Sequence, residues 1–272
     1  MRVEHFFSDM DSTLLGSDGS VPEGNINAIK GIEIPFSLVS ARAPLEMDFA
    51  IDALALKGPQ VGFNGGIIYT GTGKNRQIIA KRPIQTDVAR SMIEAICSKF
   101  PNVSTSFYDA DNWYARQIDQ GIDLETKITG QQPKIVDFKT LLESPVEVFK
   151  IMMIVFDEEI MQQLMRYFDD NPDRTVAVQR SGKNYLEVTH VDAVKANGVK
   201  YILAQENVAV ENTYAFGDGH NDIPMFKLVG HAVAMSNAMD DVKEYAETIT
   251  DTNDNAGVGV FIDNLLKNTD HS

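Results

Sequence analysis

Residues Phe6-Phe7-Ser8-Asp9-Met10-Asp11-Ser12-Thr13-Leu14-Leu15 decide how the rest of the chain is read. The apolar run from Val3 to Phe7 predicts a short buried strand. That strand stops on two acids one residue apart, followed by two hydroxyls. Carboxylates held that close repel, and one pKa rises unless a cation or a proton is shared. Such a strand end suits a divalent cation and a reactive carboxylate. The alternative is an acidic turn in which Asp11 or Ser12 caps a following helix.

Downstream, residues 16–24 read as a polar loop and 25–32 as a helix. Residues 34–39 form a second apolar strand, ending on Ser40-Ala41-Arg42. Pro44 opens a helix that Gly58-Pro59 stops. Residues 61–63 are a short strand ending at Asn64-Gly65-Gly66, where backbone approaches a ligand closely. Residues 67–70 and 77–81 pair as a hairpin. This alternation predicts a doubly wound parallel sheet.

From about residue 83 the pattern changes to hairpins and amphipathic helices, which predicts an inserted α+β unit. Parallel-sheet grammar returns near residue 191. A helix over 194–205 carries Lys195 and Lys200, and a strand over 213–216 ends on Gly217-Asp218-Gly219-His220-Asn221-Asp222. A strand over 232–235 and helices over 240–248 and 257–267 follow. The expected fold class is α/β: a Rossmann-like core of residues 1–82 and 191–272, with an inserted α+β domain over 83–190.

At 272 residues the chain is long enough for more than one domain. Lys plus Arg is 24 and Asp plus Glu is 39, a net charge of −15. That balance argues against nucleic-acid and anionic-membrane partners, which need a basic face. It also means that an anionic substrate must be drawn in by local cations. The single cysteine, Cys97, excludes an intramolecular disulfide framework. The first residues do not read as a secretory signal, and no apolar run reaches membrane-spanning length. The expectation is a cytoplasmic protein.

Four strand ends carry the chemistry: Asp9 with Asp11, Ser40 with Arg42, Asn64 with Gly65, and Asp218 with Asn221 and Asp222. In an open parallel sheet, ligands bind outside the carboxyl ends of the strands. Hard-cation ligands, hydroxyl and amide donors and two mobile cations (Arg42, Lys195) suit a metal-bound phosphate. The HExxH, CxxC, G-x-S-x-G and phosphate-loop lysine motifs are all missing.

Asp9-Met10-Asp11-Ser12-Thr13-Leu14 resembles the D-x-D-x-T-L motif of the haloacid dehalogenase superfamily. Gly217-Asp218-Gly219-His220-Asn221-Asp222 resembles its G-D-x-x-N-D. Ser40 stands where the family has Ser or Thr, and Lys195 falls on the third motif, with Lys200 as the alternative. Motif order and the long insertion are similar to the Cof-type phosphatases with a large α/β cap. Ser12 replaces the usual Gly of the first motif, tolerable where its backbone is not left-handed. Ser40-Ala41 replaces Thr-Gly.

The resemblance implies a mechanism. Asp9 is the nucleophile that becomes an aspartyl-phosphate, and Asp11 is the general acid and base. Mg²⁺ is held by Asp9, Asp11 through its carbonyl, and Asp218, with Asp222 behind them. Ser40 and Asn221 take phosphoryl oxygens, and Lys195 neutralises charge. Arg42, Asn64 and Gly65 are further substrate-binding candidates. The implied substrate is a small phosphate monoester such as a sugar phosphate or a phosphorylated cofactor. The inserted domain is expected to choose it, with Tyr108, Trp113, Arg116, Arg180 and Tyr185 as candidates. A phosphomutase and a catalytically silent phosphate sensor are the alternatives.

Overall fold

The computed structural model describes residues 2–269. In chain order the first strands are β1 (His5–Ser8), β2 (Phe36–Leu38), β3 (Gln60–Gly62), β4 (Ile67–Thr70) and β5 (Gln77–Lys81). Then come β6 (Ser104–Tyr108), β7 (Trp113–Ala115), β8 (Lys134–Ile135), β9 (Lys150–Ile154), β10 (Val176–Arg180) and β11 (Tyr185–His190). The last are β12 (Thr213–Gly217), β13 (His231–Ala234) and β14 (Thr248–Ile249). Among the described residues, no helix is long and apolar enough to cross a membrane.

The chain divides into two compact units. One takes the chain up to Arg42, Met47–Ala80, and everything from Val194 on. Its main sheet has the order β14-β13-β12-β1-β2, and every pairing is parallel. All four residues of β1 are buried, as a central parallel strand covered on both faces requires. Register is what matters for the site. Ser8 pairs with Phe216 on one side and with Leu38 on the other. The chains that follow β1, β2 and β12 therefore leave from one edge of the sheet. A parallel bridge between Val39 and Val61 carries that edge on to β3, which continues antiparallel into β4.

The second unit is Ala43–Glu46 with Lys81–Ala193. Its sheet has the order β10-β11-β9-β6-β7-β8 and is antiparallel except for β7 with β8. Phe107, Ile151, Met153, Leu186 and Val188 share its core with Ile93, Ile96 and Leu164 from helices. Tyr108 and Trp113 are buried and stacked with ring centroids 5.9 Å apart. Tyr108 donates to Glu46 at 3.2 Å and Tyr185 to Glu125 at 2.9 Å. Arg180 pairs with Glu158, and Arg116 is exposed.

One element differs from the sequence reading. Residues 240–248 are not one helix: the helix Asp240–Lys243 stops, and Thr248–Ile249 pairs with β13 as an edge strand. The β-branched run Thr248-Ile249-Thr250 fits a pleated edge better than a helix interior.

The helix Lys195–Glu206 packs on β3 at closest range through Gly198, where a Cβ would lie 2.5 Å from Val61 Cγ1. A Gly198→Ala chain should therefore lose about 1–3 kcal/mol of stability in urea unfolding. Adding Val61→Ala should make the double variant's loss smaller than the sum of the single losses.

Candidate active site

Lys195 is the first residue of its helix, yet it is fully buried. Its Nζ lies 2.6 Å from Asp9 Oδ1 and 2.6 Å from Asp222 Oδ1. Asp222 uses its other oxygen to accept from the backbone N–H groups of Asp218 and Gly219, each at 3.0 Å. This fold-back needs Gly217, because a Cβ there would meet Asp222 Cγ at 2.5 Å. Asp222 thus fastens the loop after β12 and orients the lysine. It does not cap the helix Ile223–Phe226. Thr13 Oγ1 donates to Asp218 Oδ1 at 2.7 Å, tying the loop after β1 to the loop after β12. One oxygen from each of Asp9, Asp218 and Asp222 lies within 4.8 Å of the others.

The electrostatics follow from burial. Burial pushes the Asp9 carboxyl well above the usual range; the charges of Asp222, Asp218 and Asp11 push the same way, and Lys195 opposes them. Burial also raises Asp218, to about 6, although the Thr13 hydrogen bond holds it back. Burial by itself would lower the Lys195 ammonium, but Asp222 and Asp9 outweigh it and the net direction is up. Three carboxylates around one ammonium leave a negative surplus. The ammonium has no lone pair to offer a metal, so the possible ligand atoms are all carboxylate oxygens, which fits a hard divalent cation.

Ser40, just past the end of β2, is fully buried, and its Oγ accepts from the Arg42 N–H at 3.1 Å. Its own hydroxyl proton has no acceptor among the described residues. Asn221 Nδ2 lies 3.4 Å from Asn64 Oδ1. The Asp11 carboxylate is 56% exposed and turns to Arg42.

The profile of the haloacid dehalogenase-like hydrolases matches residues 6–262. The chain belongs to that family. A Bacillus subtilis protein, 5-amino-6-(5-phospho-D-ribitylamino)uracil phosphatase YwtE, is 25% identical, with 95% of this chain and 96% of that protein covered. Phosphatase YwpJ of the same organism is also 25% identical, over 95% of this chain and 98% of its own length. A crystal structure of a Thermotoga maritima protein superposes with a TM-score of 0.85 at 25% identity, covering 96% of this chain and 97% of that one.

Residues singled out by the haloacid dehalogenase resemblance have distinct surroundings in the structure. Ser12 does adopt a left-handed backbone, with φ 57°, so the tolerance expected of a right-handed position does not apply. Its carbonyl is held by Asn237 Nδ2 at 2.7 Å. Of the two candidate lysines, Lys195 is the buried one and Lys200 is exposed. Gly65 approaches the helix start: a Cβ there would lie 2.6 Å from the Val194 carbonyl. His220 lies outside the cluster, half exposed against Asp241.

Sequence reasoning missed the asparagines that hold the first loop. Asn25 donates to the Leu14 carbonyl at 2.9 Å and accepts from Gly259 N–H at 2.8 Å. Asn253 donates to the Leu15 carbonyl at 2.9 Å and, through its N–H, to Asn237 Oδ1 at 3.0 Å. No periodicity marks such residues, because their partners are carbonyls more than ten positions away. Thr13 was visible in the motif, although not its bond to Asp218.

Serine at a left-handed position carries a Cβ clash that glycine lacks, partly offset by glycine's larger loss of chain entropy. Ser12→Gly should raise stability to urea by roughly 0.5–1 kcal/mol.

Proposed function

We propose that this hydrolase cleaves small phosphate monoesters through a covalent aspartyl-phosphate on Asp9, with Mg²⁺ as the cofactor. The observation that carries the reading is the Lys195 ammonium shared at 2.6 Å between Asp9 and Asp222, beside the Asp218 carboxylate. It joins a nucleophile, a charge neutraliser and a hard-cation donor set in one buried place.

In the first step a carboxylate oxygen of Asp9 attacks phosphorus, and the bond from phosphorus to the ester oxygen breaks. Asp11 donates the proton that the departing alkoxide takes up. In the second step water attacks the phosphorus of the aspartyl-phosphate, Asp11 accepts the water proton, and free phosphate and Asp9 are restored. Lys195 offsets the charge on the transferring group, and the Ser40 hydroxyl and the Asn221 amide donate to its oxygens. Asp9 and Asp218, with the Asp11 carbonyl, would hold Mg²⁺, and Asp222 would stay behind them, committed to Lys195 and the loop. Bound there, the cation supplies charge that keeps Asp9 ionised and steadies the phosphoryl oxygens.

The inserted unit is the proposed chooser of the alcohol. Two relatives that span nearly the whole chain are named phosphatases, and one is named for a polyol phosphate ester. That supports sugar phosphates or phosphorylated cofactors as the substrate class. The absence of a disulfide pair and of a membrane-spanning helix among the described residues is compatible with the cytoplasm as the site of action.

Asp9→Asn should abolish phosphate release from a panel of metabolite esters measured with Mg²⁺. Acid-quenched parent enzyme should carry a hydroxylamine-labile phosphate on Asp9. Parent-level turnover by the Asn variant would remove the covalent route from consideration.

Asp218 gives a pH signature. Its folded-state pKa of about 6 lies above the ordinary aspartate value, so ionising it costs stability as pH rises through about 4 to 6. A bound cation offsets that cost. The rise in Tm on adding Mg²⁺ should therefore be larger at pH 7 than at pH 5, and Asp218→Asn should flatten the difference.

A further inference from the structure

Arg42 closes on Asp11 in a planar fork. Nη2 donates to Oδ1 at 2.7 Å, and Nε lies 3.0 Å from Oδ2 and 3.2 Å from Oδ1. The root of the arginine is pinned. Its N–H donates to Ser40 Oγ at 3.1 Å, and its carbonyl accepts from Phe63 N–H at 2.9 Å. Its guanidinium also lies 6.0 Å from the centroid of the Phe49 ring. The arginine side chain is 18% exposed, whereas the Asp11 side chain is 56% exposed. A short side chain that open to water samples several rotamers unless something holds it. Ion pairs as open as this one add little to stability. What a bidentate guanidinium supplies is direction.

We propose that Arg42 is the positioning residue for Asp11, aiming its carboxyl for proton exchange with the ester oxygen, and is not a ligand of the phosphoryl group. The inference rests on the acid–base reading of Asp11. Two features favour it. The phosphoryl cation is already supplied by Lys195, which contacts the nucleophile directly. The three contacts from Arg42 also leave Oδ2 with one lone pair, since a carboxylate offers about four acceptor sites.

The test separates esters by their leaving group. A nitrophenolate departs as a stable anion without a proton, whereas an alkoxide needs one, and a positioned general acid contributes on the order of 10²–10⁴-fold. The quantity measured is kcat/KM, which covers the steps up to aspartyl-phosphate formation. The two probes are p-nitrophenyl phosphate and β-glycerophosphate, each with Mg²⁺.

Asp11→Asn and Arg42→Ala should each lower kcat/KM at least about tenfold more on the glycerol ester than on the nitrophenyl ester. Arg42→Lys, which keeps the charge but loses the fork, should fall between Arg42→Ala and the parent. The Arg42→Ala, Asp11→Asn double variant should be no worse than Asp11→Asn alone. An Arg42→Ala loss that is equal on both esters, or a double variant whose losses multiply, overturns the inference and leaves the role of Asp11 standing. An Asp11→Asn variant with no leaving-group dependence removes the acid–base reading, and the inference goes with it. Circular dichroism and Tm of each variant confirm that it is folded.

Discussion

The first constraint on this molecule is the Lys195 ammonium, buried between Asp9 and Asp222. Removing Lys195 from such a group would leave buried carboxylates without their cation, a loss of roughly 3–5 kcal/mol. The arrangement therefore demands that three distant segments stop at one point: the end of β1, the loop after β12 and the start of the Lys195–Glu206 helix. Much of the surrounding structure is explicable as the means of meeting that demand. Gly217 lets Asp222 fold back under its own loop, and Gly65 and Gly198 let the helix approach the β3 end.

Besides the buried Met10, Leu14 and Leu15, polar groups hold the same site from the outside. The carbonyls of Ser12, Leu14 and Leu15 each accept from an asparagine amide. The backbone of Asp11 and Ser12 is not helical, so carbonyls of this loop need partners from elsewhere. The left-handed Ser12, Phe63 and Asn64 are part of the same economy. Backbone strain of this kind persists only where neighbouring contacts over-determine it. Here Phe63 and Asn64 donate their N–H groups to the carbonyls of Arg42 and Ser40.

Legibility in the sequence was uneven for physical reasons. Parallel strands buried on both faces are continuous apolar runs, so β1, β2 and β12 were readable with their terminal acids and hydroxyls. Element ends were less so: residues 240–248 have enough helical character to extend the helix on paper, and only the free edge of β13 made Thr248–Ile249 a strand. Ala43–Glu46 lies at the start of a helix whose remainder belongs to the first unit, yet it groups with the second. Its attachments are tertiary, through Tyr108 to Glu46 and through Gln131 to the Leu45 carbonyl. The fork from Arg42 to Asp11 was equally out of reach, because a lone arginine after a strand carries no mark of its partner.

By itself the sequence determined the α/β class and the family, and it offered a short roster of candidate acids and cations, because strand periodicity and strand-end motifs are local properties. Tertiary structure alone decided which lysine is buried, that Ser12 is left-handed, where Arg42 points and which asparagines hold the first loop. Those depend on distances between residues from 11 to more than 200 positions apart, and on burial, which no local pattern records.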